Sequence, residues 1–316
     1  MCISKRSITF AAIKRKDSGM TKAEACERLE NLDVRNSSEE EVRKLLEVVK
    51  YIPIITAKLS VGTRIHRTRM GRGYYQPWEL TYKKPRLCTS MQRASLPNES
   101  VFYGCLADNQ QRLEYGRMIG LLECSKLVKD MEGFGREYVT ASVWEVTSPI
   151  NILSFITEQT YAGEKKLCEL VRHFVRLYKE NHRNIDVIER RVGRVIDKEF
   201  SKDVYDNRDY LITATLVHDM LYDFGEDIDA VIYPSVQTKG DLGLNIAIKP
   251  EAADNKLRLH HVIDQTHYRY RDNSFVWLDK GYDANHHLIP TAPLTDEILF
   301  EKTGFRNTHD FPIVKH

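Results

Sequence analysis

The chain has 316 residues, of which 42% are hydrophobic and 29% charged, with a formal net charge of +2. A disordered chain would be less apolar and a dedicated nucleic-acid binder more basic, so the composition predicts a globular protein. No stretch approaches the roughly 18 consecutive apolar residues of a membrane span. Met1 to Lys16 lacks the apolar core of a secretory signal, and the six cysteines form no CxxC pair. We therefore expect a cytoplasmic protein that binds neither a membrane nor nucleic acid.

Residues 1–55 are predicted to form an N-terminal helical region. Thr21 and Glu24 have the spacing of a capping box, and charged residues run through Met20 to Val49. Nothing in this region carries recognisable chemistry. We interpret it as a packing appendage to a larger domain over residues 56–316.

Val61 to Arg69 alternates as a half-exposed strand does. Arg64 and His66 then share one face, and the other face carries Arg67 and Arg69. Guanidinium groups match phosphate oxygens in pairs, which favours an anion site. The alternative is a solvated edge whose cations prevent aggregation.

Met70 to Leu96 is predicted to be an ordered loop, followed by a strand over Val101 to Gly104. Asp108 is a candidate N-cap of a helix that runs to about Asp130.

This predicted helix carries two candidate carboxylates. Glu123 lies among apolar residues, whereas Glu114 has more polar neighbours. Burying a carboxylate costs free energy unless it is paired, so Glu123 is the stronger functional candidate. Glu114 remains the alternative.

The next predicted elements alternate in type. Strands are expected over Tyr138 to Val146 and Asn151 to Leu153, and helices over Tyr161 to Asn181, Asp186 to Lys198 and Asp209 to Tyr222.

A short apolar run, Val231-Ile232-Tyr233, predicts a buried strand that ends at Pro234. Ser235 then lies just past the strand end, and Leu244 to Ile248 predicts a second strand. One interpretation is a core hairpin with a solvated serine in its connection. The other is a serine that faces a cleft.

The C-terminal part is predicted to contain a hairpin that turns at Asp272-Asn273. The pairs His260-His261 and His286-His287 lack the spacing of zinc ligands, so no metal site is expected.

Four separated segments occur in the order found in the RES domain, which this chain resembles. They are Ile-His-Arg-Thr-Arg with Arg67, the segment from Gln92 to Gly104 with Arg93 and Tyr103, Leu-Leu-Glu-Cys-Ser with Glu123, and Ile-Tyr-Pro-Ser-Val with Ser235 followed by Asn245. The resemblance implies an α+β fold, a mixed β core flanked by helices as in ADP-ribosyltransferases. A helical insertion over about 160–207 and an extension after 262 would distinguish this chain from compact members.

The resemblance also implies cleavage of NAD at the nicotinamide–ribose bond. Arg67 and Arg93 would hold the pyrophosphate and Tyr103 would face the nicotinamide. Glu123 would stabilise positive charge on the ribose, with Ser235 orienting it. Tyr233 and Asn245 are two further implied contacts of NAD. The residues with an implied catalytic role are Glu123, Ser235 and Arg67.

The residues leave the acceptor of ADP-ribose open. Phosphate would yield ADP-ribose 1″-phosphate, water would yield ADP-ribose, and a macromolecule would become ADP-ribosylated. NAD is then a substrate rather than a cofactor, and phosphate a candidate co-substrate. A different class of hypothesis is an inactive module that binds NAD or a partner. The family further implies a toxin restrained by a separate Xre-type antitoxin, and an oligomer remains open.

Overall fold

The computed structural model describes residues 8–9, 19–49, 51–108, 113–130, 133–164, 166–223, 227–271 and 273–315. Met1 to Lys16 lies outside the described residues apart from 8–9, and so does Asp272 at the predicted C-terminal turn.

The described strands and helices alternate irregularly along the chain. The strands are β1 (Ile8–Thr9), β2 (Tyr51–Ile52), β3 (Ile55–Leu59), β4 (Arg64–Met70), β5 (Phe102–Ala107), β6 (Gly135–Val146), β7 (Ile150–Ser154), β8 (Ala230–Pro234), β9 (Gly243–Ile248), β10 (Leu257–Tyr270), β11 (Asn273–Asp283) and β12 (Leu288–Ile289). The helices are α1 (Lys22–Glu30), α2 (Glu39–Val49), α3 (Pro77–Leu80), α4 (Leu113–Cys124), α5 (Lys126–Lys129), α6 (Glu169–Asn181), α7 (Val187–Ser201), α8 (Leu211–His218), α9 (Pro250–Lys256) and α10 (Asp296–Thr303).

Ten of the described strands form one sheet in the order β12-β11-β10-β6-β4-β5-β9-β8-β7-β3. The β7–β8 pair is parallel, whereas the other described pairs are antiparallel. The predicted α+β class with a mixed β core is confirmed at this level. Among the described residues, no helix has both the length and the apolar character needed to cross a bilayer.

The part of the sheet around β8 and β9 is covered on both faces. Val231 and Ala247 pack into a core with helices α1, α2, α7 and α8, while Ile232 and Ile246 pack into a second core with α6 and α9. Successive strand residues point to opposite faces. Because helices cover both faces here, β8 and β9 are buried along their whole length. The predicted hairpin is therefore an interior pair of strands with helices packed on both of its faces.

Two predicted helices differ from the structure. The helix expected to run to Asp130 is interrupted at Ser125, whose buried side chain accepts the N–H of Val128 and starts α5. The helix expected from Tyr161 begins only at Glu169. Tyr161 has φ 58 and Gly163 has φ 92, a left-handed conformation that a right-handed helix does not accommodate.

Candidate functional site

Helix α4 lies very close to strand β4, and two glycines make this approach possible. A Cβ atom on Gly116 would come within 2.0 Å of His66 Cγ, and one on Gly120 within 1.9 Å of Thr68 Oγ1. Residues three or four apart share a helix face, so Glu123 continues the face formed by the two glycines. The close packing therefore directs Glu123 towards the sheet.

Glu123 meets two side chains from the β8–β9 hairpin. Ser235 Oγ donates to Glu123 Oε1 at 2.7 Å, and Asn245 Nδ2 donates to the same oxygen at 3.0 Å. Among the described residues, Oε2 of Glu123 has no hydrogen-bond partner. One carboxylate oxygen is thus held in place, while the other remains available for a ligand.

The β8–β9 hairpin positions both donors. Ser235 follows Pro234 at the end of β8, and Asn245 is the register partner of Tyr233. Ser235 is fully buried, so the interpretation of a solvated serine is wrong. Its carbonyl oxygen accepts the Tyr161 hydroxyl at 2.9 Å, which ties the serine to the segment before α6.

Arg67 lies on β4, where this strand adjoins β5. These strands share one described register pair, His66 with Cys105. The Arg67 guanidinium donates to the carbonyl oxygen of Tyr103 and lies 5.1 Å from the Phe102 ring centroid. Burial lowers the pKa of Arg67 to about 10, so the side chain remains a cation at neutral pH.

The two predicted tyrosines share one face of the sheet with Asn245. Tyr103 is paired with Ala247, two residues from Asn245, and Tyr233 is paired with Asn245 itself. The Tyr103 hydroxyl accepts the Ala94 N–H at 3.2 Å and lies 2.9 Å from the Ser95 hydroxyl. Burial raises the pKa of both tyrosines, which therefore act as neutral side chains.

Arg93 holds the end of a helix. Its guanidinium donates to the carbonyl oxygens of Phe200 at 2.7 Å, Lys202 at 3.1 Å and Glu199 at 3.3 Å, at the C-terminus of α7. It also lies 5.0 Å from the Tyr210 ring centroid. Carbonyl groups left open by the last helical turn favour a cation there. The predicted contact of Arg93 with pyrophosphate stays a prediction and would compete with these bonds.

Two alternatives from the sequence analysis are the carboxylate Glu114 and the strand face that carries Arg64 and His66. Glu114 is exposed in the first turn of α4. His66 is buried, and neither of its ring nitrogens has a partner among the described residues. Burial, and then the charges of Arg117 and Arg64, lower the pKa of His66 to about 4. A neutral imidazole adds no charge to an anion site.

Some residues that shape this group escaped the sequence-based prediction. Gly116 and Gly120 are one helical turn apart, and this spacing of small residues is the signal that a helix approaches another backbone closely. Tyr161 has no such signal, because its bond to Ser235 joins residues far apart in the chain.

The ligating atoms of His218, Asp219 and Asp223 lie within 4.8 Å of one another. Arg43 Nε donates to Asp219 Oδ1 at 2.9 Å, and Glu99 pairs with the His218 ring. A hydrogen bond to Glu99 raises the pKa of His218. Because a guanidinium already neutralises Asp219, we interpret the group as an ion-pair network.

No protein-family model matches this chain, and no curated protein is significantly similar to it in sequence.

Proposed function

We propose that this chain cleaves the nicotinamide–ribose bond of NAD, the activity implied by its resemblance to the RES domain. The observation that carries the proposal is the pair of hydrogen bonds from Ser235 and Asn245 to Glu123. Glu123 is 112 residues from Ser235 and 122 residues from Asn245 in the chain. The fold therefore brings together segments that the sequence analysis singled out separately.

The arrangement suits the charge that develops in this reaction. Loss of nicotinamide leaves an oxocarbenium-like ribose, and a fixed carboxylate stabilises that cation. Ser235 and Asn245 would keep Glu123 Oε1 in place, leaving Oε2 to accept a ribose hydroxyl. Nicotinamide departs as a neutral molecule, so the step needs no proton donor.

We further propose that the phosphates of NAD bind beside Arg67, where β4 and β5 diverge. Arg67 is charged and partly exposed, and it has a buried Nε without a partner among the described residues. Its fork could donate to phosphate oxygens while retaining the contact with Phe102. A mixed sheet with helices on both faces is compatible with an ADP-ribosyltransferase-like fold.

Cells that contain such an activity need to restrain it. We propose a toxin-like role in the cytoplasm with a separate Xre-type antitoxin as partner, again on the strength of the resemblance. Helices α1, α2, α6 and α7 offer outer surfaces for such a partner.

The test compares two glutamate variants. Purified protein should release nicotinamide from NAD in the presence of EDTA, and Glu123→Gln should lower the rate about a hundredfold or more, the scale for one preorganised electrostatic group. Glu114→Gln is the matched control from the same helix and should change the rate little. Chromatography quantifies nicotinamide.

Mass spectrometry of the products, with and without inorganic phosphate, identifies the acceptor. Phosphorylated ADP-ribose would identify phosphate as the acceptor, and free ADP-ribose would identify water. An ADP-ribosylated product would identify a macromolecule. Bound NAD with no released nicotinamide would instead favour the inactive binding module. A rate that depends on Glu114 and not on Glu123 would overturn the assignment of the carboxylate.

A further inference from the structure

Another set of polar side chains spans strands β6, β10 and β11 and shares no residue with the Glu123 group. His267 Nε2 lies 2.6 Å from Ser274 Oγ, and His267 Nδ1 lies 3.3 Å from Glu137 Oε2. A hydroxyl, an imidazole and a carboxylate in this sequence form the arrangement in which an acid orients a histidine and the histidine activates a serine.

The strand register accounts for this alignment. Glu137 on β6 is the partner of His267 on β10, and His267 is the partner of Val276 on β11. Ser274 is two residues from Val276 and therefore lies on the same face of the sheet. The three side chains follow one another across adjacent strands.

Burial increases from the hydroxyl to the carboxylate. Ser274 is exposed, whereas His267 is 1% exposed and Glu137 is fully buried. The backbone N–H groups of Lys126 and Leu127 donate to Glu137 Oε1 at 2.9 Å and 3.0 Å. These donors at the start of α5 fix the carboxylate, and the carboxylate fixes the imidazole.

The contacts assign the proton on His267. A carboxylate oxygen accepts hydrogen bonds, so Nδ1 carries the hydrogen that faces Glu137. Nε2 is then the basic nitrogen and accepts the hydroxyl hydrogen of Ser274. This is the tautomer that a general base requires. Ser125, whose hydroxyl donates to Glu137, lies 3.4 Å from Nδ1 and adds a second polar neighbour.

Ser274 is accessible from the edge of the sheet. The strand pairing of β12 with β11 covers Gly281 and Tyr282, and no other described strand covers the outer edge near Ser274. An open sheet edge does little to select substrates by shape, but it leaves room for the carbonyl group of a substrate to reach Ser274. Carboxylic esters with small acyl groups fit this setting.

We propose that Ser274 is the nucleophile of a second, esterase-type site, with His267 as general base and Glu137 as the group that positions His267. Ser274 Oγ would form a bond to the ester carbonyl carbon while its proton moves to His267 Nε2. The C–O bond to the alcohol would then break, and the alcohol would leave with that proton. Water would attack the acyl-enzyme, again through His267, and release the carboxylic acid and free Ser274.

A fluorophosphonate probe and p-nitrophenyl acetate test this site without NAD, so the outcome is independent of the proposed NAD cleavage. In the labelling reaction, Oγ forms a bond to phosphorus, fluoride leaves and the proton moves to His267. Mass spectrometry of the full wild-type chain should place the adduct on Ser274. Ser274→Ala should abolish labelling, and His267→Ala should slow it about a hundredfold or more, the scale of a general base.

Ser60→Ala is the matched control, because it removes the hydroxyl of another exposed serine. It should leave labelling and ester hydrolysis unchanged. Near-ultraviolet circular dichroism checks that His267→Ala is folded; if it is not, the adduct position on the wild-type chain decides. An unmodified Ser274 in the wild-type chain, or equal rates in folded His267→Ala, would overturn the proposal.

Discussion

At the scale of single residues, Arg67 has a structural use and a proposed functional one. Its guanidinium donates to the Tyr103 carbonyl and lies over the Phe102 ring. A cation that serves only as solvated charge tolerates lysine, because lysine also carries a charge. A planar fork that binds a carbonyl and a phosphate together does not, because lysine has a single terminal nitrogen.

We therefore predict that Arg67→Lys lowers the kcat/KM for NAD cleavage at least tenfold, equivalent to about 1.4 kcal/mol of transition-state binding. Arg64→Lys is the matched control on the same strand. Arg64 is paired with Glu145 and Arg67 with Ser142, an odd separation that places their side chains on opposite faces.

Steady-state kinetics with both variants measures the effect, with thermal denaturation as a check on folding. If Arg64→Lys lowers kcat/KM and Arg67→Lys does not, the anion site lies on the other face of β4.

At the scale of elements, the packing of α4 on β4 determines where Glu123 lies. Gly120 faces Thr68, and an added methyl group would lie 1.9 Å from Thr68 Oγ1 and 2.7 Å from Thr68 Cβ. Thr68 is short and β-branched, so it has little freedom to move aside. The helix itself must shift.

Gly120→Ala should destabilise the protein by about 1–3 kcal/mol, the usual cost of overpacking, although alanine is the better helix former. The shift of α4 should also lengthen the contact of Glu123 with Ser235 and lower NAD cleavage. Urea denaturation gives the change in the free energy of unfolding, and nicotinamide release gives the change in activity.

Met118→Ala is the control for this prediction, because Met118 lies on the exposed side of α4. It should change both quantities little. A Gly120→Ala protein that is more stable and fully active would show that the close approach is not required.

At the scale of the whole molecule, segments distant in sequence share one core. Ala25 of α1, Leu45 of α2 and Val192 of α7 belong to one core with Val231 and Ala247 of the β8–β9 hairpin. The N-terminal helices are therefore packed on the sheet that carries Ser235 and Asn245. Burial in this assembly also changes the titration of single groups.

Asp197 on α7 is a buried carboxyl bonded by the hydroxyl of Thr160. Burial raises the pKa of Asp197 to about 6, against the ordinary value of 3.8, and the hydrogen bonds oppose this rise. The folded protein then binds this proton more tightly than the unfolded chain. The contribution to stability is present below pH 3.8 and is lost as the pH rises through about 6.

Asp197→Asn, which is neutral at every pH, should lack this loss. From pH 4 to pH 7, the unfolding free energy of the variant should gain roughly 1–3 kcal/mol relative to wild type, because one pKa unit corresponds to about 1.4 kcal/mol.

Denaturation at several pH values in this range measures the effect. Asp203→Asn, at an exposed position after the same helix, is the control. Parallel pH profiles for wild type and Asp197→Asn would contradict the assigned pKa.

Local sequence patterns predicted much of the fold. The Thr21–Glu24 capping box forms, and alternating or apolar runs became strands β4, β6, β8 and β9. These features depend on neighbours within a few residues, where side-chain periodicity and capping act. The interruption at Ser125 was missed because the Ser125 hydroxyl, which accepts the Val128 N–H, also donates to Glu137 on strand β6.

The composition of the site depended on tertiary structure. Sequence analysis offered two candidate carboxylates on one helix, Glu123 and Glu114. Sheet register and the two glycines bring Glu123 to Ser235 and Asn245, whereas Glu114 is exposed. Arg93 has the residue type of a phosphate ligand, yet the end of α7 comes within reach of its guanidinium. Local periodicity determines which way a side chain points, whereas the residue it meets is determined by strands and helices that are distant in sequence and packed together in one core.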